Sequence, residues 1–222
     1  MTADREPEED PHVAVDPWAA EAARRPIDDA PDTIAPRSGP RRTFFVRKRT
    51  FYSLVFPVAL LVVARPIPLW FLIGAAFLVA GQAMRLWGAG TLTKNEELAT
   101  HGPYAHVRNP LYFGSLLMAT GYCFMSGRWW AFIGLAVFYP LFYLTTIIEE
   151  ERFLRVKFGD QFAEYCRNVP RLLIRITPWG IADPDTHFSF AQAQRNGEQA
   201  SFLVSSTLTM AFALRHLFPM WW

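Results

Sequence analysis

The chain has 222 residues, 51% hydrophobic and 15% aromatic, and a formal net charge of +2. That balance conceals an asymmetry, because residues 1–40 hold ten acids against four arginines while residues 41–222 hold ten acids against eighteen basic residues. No acid occurs over 33–95 or over 98–148, which argues against a water-soluble globule whose outer faces need charge, and two cysteines give no disulfide scaffold.

In chain order, residues 1–40 come first, with seven prolines and few large apolar side chains. They read as a disordered acidic tail, since such a segment buries too little surface to offset its ordering entropy. The start lacks the basic and apolar regions of a signal peptide, and Arg41-Arg42 reads as an anchor at a cytoplasmic membrane face. A short apolar run, 51–64, ends at Arg65-Pro66-Ile67-Pro68, where two prolines turn the chain. The runs 68–89, 111–127, 129–148 and 201–222 are long enough, or nearly so, to cross a hydrocarbon core, which takes about 20 helical residues. Gly127-Arg128 makes the third and fourth spans a tight hairpin. Counting the short run as a span puts nineteen Lys/Arg on one side and only Arg65, Arg128 and Arg215 on the other, as cytoplasmic positive charge requires. The expected fold class is all-α: a polytopic membrane helix bundle with about five spans (near 51–64, 68–89, 111–127, 129–148 and 201–220). Its membrane domain is 41–222, with the N-terminus cytoplasmic in an inner or plasma membrane.

Polar chemistry is confined to two stretches on that cytoplasmic side, 94–112 and 149–171. Asn109-Pro110 has the form of an N-cap followed by a first helical residue, and a helix N-terminus also attracts carboxylates and phosphates. Tyr104, Tyr112 and Arg108 each also read as interface anchors or headgroup contacts. Glu149-Glu150-Glu151 sit at the end of an apolar helix, where the macrodipole and anionic lipid both disfavour them. On the continuing helix Leu154, Phe158, Phe162 and Tyr165 share a face, with Glu151 near its centre, Glu150 at its margin and Glu149 pointing away. A buried acid at a membrane needs a partner, and the structural alternative to a catalytic role is an ion pair with Arg108 or Arg152. There is no P-loop, G-x-S-x-G or complete G-x-G-x-x-G, and no Cys/His cluster for a metal. The basic residues follow membrane faces, so neither a metal nor nucleic acid is expected as a partner.

The ordered set Gly102-Pro103-Tyr104, Val107-Arg108-Asn109-Pro110-Leu111-Tyr112-Phe113-Gly114, Glu150-Glu151, Leu154, Phe158-Gly159, Tyr165 and Val169-Pro170-Arg171 resembles a known pattern. It is that of the isoprenylcysteine carboxyl methyltransferase family and its phospholipid methyltransferase relatives, over about residues 68–175. The resemblance implies an integral membrane enzyme that uses S-adenosyl-L-methionine in a pocket at the cytoplasmic face and methylates a lipid or lipidated acceptor. Carried over residue by residue, Leu98, Ala99 and Tyr104 contact the cofactor, as do Asn109, Pro110, Leu111, Tyr112 and Glu150. Arg108 and Glu151 are the candidate catalytic residues. The chain departs from the family in two places. Asn109 stands where the family has histidine, and 144–148 has no arginine to hold a substrate carboxylate, which points away from a prenylcysteine acceptor; Arg108 or Arg171 are the possible substitutes. Two other readings predict different behaviour: a membrane reductase of sterol-reductase type, which would bind NADPH, and a non-catalytic scaffold, which would bind no cofactor. The segment 181–199, with Asp183, Asp185, His187 and Glu198, is a candidate for a substrate entrance.

Overall fold

The computed structural model describes residues 44–92, 97–180 and 187–218; the acidic tail, 93–96, Asp183, Asp185 and the final tryptophans lie outside the described residues. Seven α-helices are seen there: α1 (Phe44–Val63), α2 (Pro68–Thr91), α3 (Pro110–Ser126), α4 (Trp130–Tyr139), α5 (Thr145–Asn168), α6 (Phe190–Arg195) and α7 (Glu198–Leu217). Among the described residues there is no strand, so the all-α expectation holds. Two helices are long and apolar enough to cross a bilayer: α2, and the continuous 39-residue helix that runs from α4 into α5. Only 17% and 28% of their most apolar stretches are buried inside the protein, so most of that surface faces outward. The core helix of a soluble protein would be mostly buried; outward apolar faces suit lipid.

The helix boundaries follow from prolines and glycines. Arg65-Pro66-Ile67 breaks the chain, and Pro68 then starts α2 at a position where its missing N–H costs nothing. Pro110 starts α3 in the same way. Gly127 ends α3 with φ 65°, and a Cβ there would collide with the Arg65 carbonyl, so glycine is required twice over. Arg128 and Arg215 each donate through Nε, at 3.0 Å, to the Val63 and Ala64 carbonyls at the end of α1. The ends of α1, α3 and α7 therefore meet, and Arg65, Arg128 and Arg215 gather at that end of the bundle.

Two elements differ from the sequence expectation. The helix over 51–64 begins earlier, at Phe44, because helices run on through good formers such as Arg and Lys whether or not the segment is apolar. The run over 129–148 is not one regular helix. Pro140 has no N–H to give and crowds the preceding turn, and the chain absorbs this with a π-turn at Pro140–Leu144. Further on, α5 bends sharply at Gly159 (φ 50°, ψ −124°), a left-handed conformation that favours glycine, and the chain doubles back.

Glycines also hold α2 against α3. A Cβ on Gly74 would lie 2.5 Å from the Gly121 carbonyl, and one on Gly81 2.6 Å from that of Gly114. The seven-residue spacing on both helices makes an antiparallel seam of the small-residue kind that packs membrane helices closely. Gly88 continues it against Pro110, at the first turn of α3.

Candidate active site

Residues 97–109 form a loop over the ends of α2 and α3. Its short 3-10 turn, Gly102–Ala105, buries Tyr104. The Tyr104 hydroxyl donates to the Gly88 carbonyl at 3.4 Å, and its own carbonyl accepts the Tyr165 hydroxyl at 2.7 Å. Burial pushes the Tyr104 hydroxyl well above its ordinary pKa, and the nearby Glu150 carboxylate adds to this, so the phenol is neutral at physiological pH. The returning segment pins the loop from the other side, since Pro170 accepts from the Arg108 amide, His106 from the Arg175 amide and Ala105 from the Trp179 amide. Leu98 and Ala99 are buried; Leu98 packs with Phe162, Tyr165, Cys166 and Val169.

At the base of the loop lies a buried ionic cluster. Glu151 is 7% exposed and takes Arg171 through both carboxylate oxygens (Nε to Oε1 3.1 Å, Nη2 to Oε2 2.7 Å). Arg108, 8% exposed, approaches Oε1 to 3.6 Å, and Asn109 donates to the same oxygen at 3.1 Å and to the Arg171 carbonyl at 3.2 Å. A buried carboxylate survives when its oxygens are filled in this way. The inward face expected for Glu151 is the one found, but Arg171 is its main partner, and Arg152 is exposed. Glu149 is half-buried. The structure also corrects Asn109. It occupies the N-cap position, but its side chain makes no capping bond, because that side chain is spent on Glu151 and Arg171. The first turn of α3 is left without a side-chain cap.

Beside this cluster, Glu150 is half-buried and accepts the Tyr112 hydroxyl at 2.8 Å. Tyr112 is buried, and its backbone carbonyl accepts the Tyr139 hydroxyl at 2.9 Å. The Tyr143 ring stacks on Tyr139 and meets Tyr112 edge-on. The π-turn thus lies directly behind the Tyr112–Glu150 pair. His101, one residue before the 3-10 turn, has a buried Nε2 with no hydrogen-bond partner among the described residues.

The structure therefore gathers Tyr104, Arg108, Asn109, Pro110, Tyr112, Glu150 and Glu151 around one helix end. It also shows a second charged group beneath that end. Arg85 of α2 grips Glu198 at the start of α7 (Nε to Oε1 2.8 Å, Nη2 to Oε2 3.0 Å). Its Nη1 donates to the Leu111 carbonyl and the Ser115 hydroxyl in the first turns of α3. Glu198 is 5% exposed and also accepts from Gln82. The sequence did hold a signal for this: Arg85 is the one charge inside the apolar run 68–89, and such a charge needs a partner.

Residues 69–161 match the family model for phospholipid methyltransferase. The family resemblance read from the motifs holds over the segment that builds this site. The phospholipid methyltransferase match takes in α2, the loop, α3, α4 and most of α5, and stops short of Arg171 and Glu198. The chain is similar to the cobalt-zinc-cadmium resistance protein CzcN of Cupriavidus metallidurans, with 35% identity over 136 residues, 60% of this chain and 62% of that one. It is also similar to the protein-S-isoprenylcysteine O-methyltransferase of Schizosaccharomyces pombe, with 31% identity over 100 residues, 45% of this chain and 42% of the relative. The chain thus spans less than two thirds of either relative. No solved structure matches it. Among the described residues no group of three or more His, Cys, Asp or Glu is placed to hold a metal ion.

Proposed function

We propose that this chain is an integral membrane methyltransferase that uses S-adenosyl-L-methionine and methylates a lipophilic acceptor at the cytoplasmic membrane face. The observation that carries the reading is the Tyr112–Glu150 pair beside the uncapped first turn of α3, inside the segment that matches a methyltransferase family. The residues suit the cofactor. Glu150 offers a half-exposed carboxylate for the ammonium or sulfonium, the α3 N-terminus offers backbone N–H groups and a positive dipole end for the carboxylate, and the His101 Nε2 offers an unused polar atom. Tyr104, held neutral, provides an aromatic face. When bound, the cofactor supplies a methyl group on a positively charged sulfur. The protein's part is then to align the acceptor in line with that methyl and exclude water. In this reading Leu98 and Ala99 close the loop side, and Asn109, Pro110 and Leu111 shape the helix end. Arg108 orients the acceptor. Glu151, already taken by Arg171, is a positioning residue that holds Arg108 in place.

The topology belongs to the same proposal: five spans, the N-terminus cytoplasmic, and the acidic tail outside the catalytic domain. The meeting of Arg65, Arg128 and Arg215 at one end supports it, because these are the basic residues assigned to the outer face. The test is calorimetric titration of detergent-purified protein with S-adenosyl-L-methionine, with NADPH in parallel. Binding of the former is expected, and Glu150→Gln should weaken it about tenfold or more, the worth of a charge-assisted contact. Binding of NADPH alone would move the reading to a reductase, and binding of neither by folded protein to a scaffold.

A further inference from the structure

After the Gly159 bend the chain returns to the ionic cluster, and then runs over the 97–109 loop as residues 169–180. Two contacts fix its level. Arg171 is bonded to Glu151, three residues past the end of the apolar run, and its carbonyl is held by Asn109 at the start of α3. The next residue, Leu172, packs against the apolar core formed by Tyr112, Tyr143, Ile147 and their neighbours. The segment therefore lies where the apolar helices emerge, not out in the cytoplasm. Its backbone faces the loop, through the amides of Arg175 and Trp179, while the side chains of Leu173, Ile174 and Ile176 turn out. Leu173 is 77% exposed and Ile176 92%, and Ile174 is also exposed. Arg167 and Arg175 flank this apolar surface, Trp179 follows it, and no acid occurs over 165–182.

We infer that residues 172–176 form an interfacial anchor that inserts Leu173, Ile174 and Ile176 into the headgroup–acyl boundary of the bilayer, with Arg167 and Arg175 beside anionic headgroups. Large aliphatic side chains beside arginine and tryptophan are the composition of membrane interfaces, and basic residues close to the surface are drawn to anionic lipid. The segment contributes the Pro170, Arg175 and Trp179 backbone contacts of the 97–109 loop, so lipid contact on its outer face braces the proposed cofactor site from behind. The inference rests on the membrane reading of the chain.

Ile176→Cys, Ile133→Cys on the outward face of α4, and Glu164→Cys on the exposed side of α5 each receive an environment-sensitive thiol fluorophore. The unsubstituted protein, whose Cys123 and Cys166 are buried, serves as the blank. The proteins are placed in nanodiscs of phosphatidylcholine with about a quarter phosphatidylglycerol, an anionic surface of the sort basic segments prefer. The label at 176 is expected to be blue-shifted, quenched by lipid-borne nitroxide near the headgroups, and to lose most of the iodide quenching seen at 164. A label at 176 as open to iodide as that at 164, while the label at 133 stays in lipid, would overturn the anchor alone. Labels at 133 and 176 both open to iodide would overturn the membrane reading, and the anchor with it.

Discussion

The α2–α3 seam makes a prediction whose sign changes along a single helix. Gly81→Ala places a methyl 2.6 Å from the Gly114 carbonyl oxygen, 2.7 Å from Met118 Cγ and 3.0 Å from the Met118 amide nitrogen. Ordinary contact begins at 3.4 Å, so the two backbones have to separate by about 0.8 Å. Overpacking of this kind costs about 3 kcal/mol when backbone has to move. Alanine returns about 1 kcal/mol through its better helix propensity, leaving a net loss of about 2 kcal/mol. Gly88→Ala meets Pro110 side-chain atoms at 3.2 and 3.3 Å, which yield by a few tenths of an ångström, and Leu111 Cδ2 at an ordinary 3.6 Å. There the propensity gain of about 1 kcal/mol offsets the strain, and the change should be neutral or slightly stabilising. For a chain of this size a kilocalorie moves Tm by about 2–4 °C. In a thermal unfolding series in one detergent, Gly81→Ala should melt about 4–8 °C below the parent, and Gly88→Ala at or just above it. If Gly81→Ala melts with or above Gly88→Ala, the helices do not approach as closely as described and the argument fails.

Three further outcomes follow from the charged groups and the bend. Glu198→Ala strands Arg85 between α2, α3 and α7 and should cost about 3 kcal/mol in thermal unfolding, with Glu198→Gln markedly milder because it can still accept from Arg85. Arg171→Ala removes the two-pronged partner of buried Glu151 and should cost about 2–4 kcal/mol, whereas Arg152→Ala, at an exposed position, should cost under about 0.5 kcal/mol. Gly159→Ala meets no neighbour but is forced to φ 50°, so a loss of about 1–3 kcal/mol would come from backbone strain alone, read by the same unfolding measurement.

What was legible in the sequence was local. Pro66 and Pro68 marked the turn after α1, Pro110 the start of α3, and Gly127 the hairpin, because each acts through its own backbone. The burial of Glu151 was read from a face counted along one continuous helix, a count that the Gly159 bend interrupts before Phe162 and Tyr165, and the motif order pointed to the residues now found around the α3 end. What escaped depended on partners distant in sequence. Asn109 looks like a cap until Glu151 and Arg171 claim its side chain. Gly74, Gly81 and Gly88 show a seven-residue spacing, yet nothing in that spacing names Gly114 and Gly121 as the opposing pair. Arg85 and Glu198 lie 113 residues apart, and only the packing of α7 against α2 makes them neighbours. The π-turn was hidden for a different reason: Pro140 predicts a disturbed helix, but not whether the chain will kink, stop or widen.

The bond between Glu151 and Arg171 works as a clasp at the neck of a hairpin of chain. Everything between them runs out along α5, turns at exposed Gly159 and comes home to the same point. Because the neck is fastened, the number of residues in the hairpin has little leverage on what lies below it; closing a longer loop costs only about 0.6 kcal/mol per doubling. Insertions or deletions at the Gly159 tip should therefore be absorbed there, while the neck tolerates almost none. A reporter domain or purification handle placed at that tip would ride on the protein without disturbing the helix end below it.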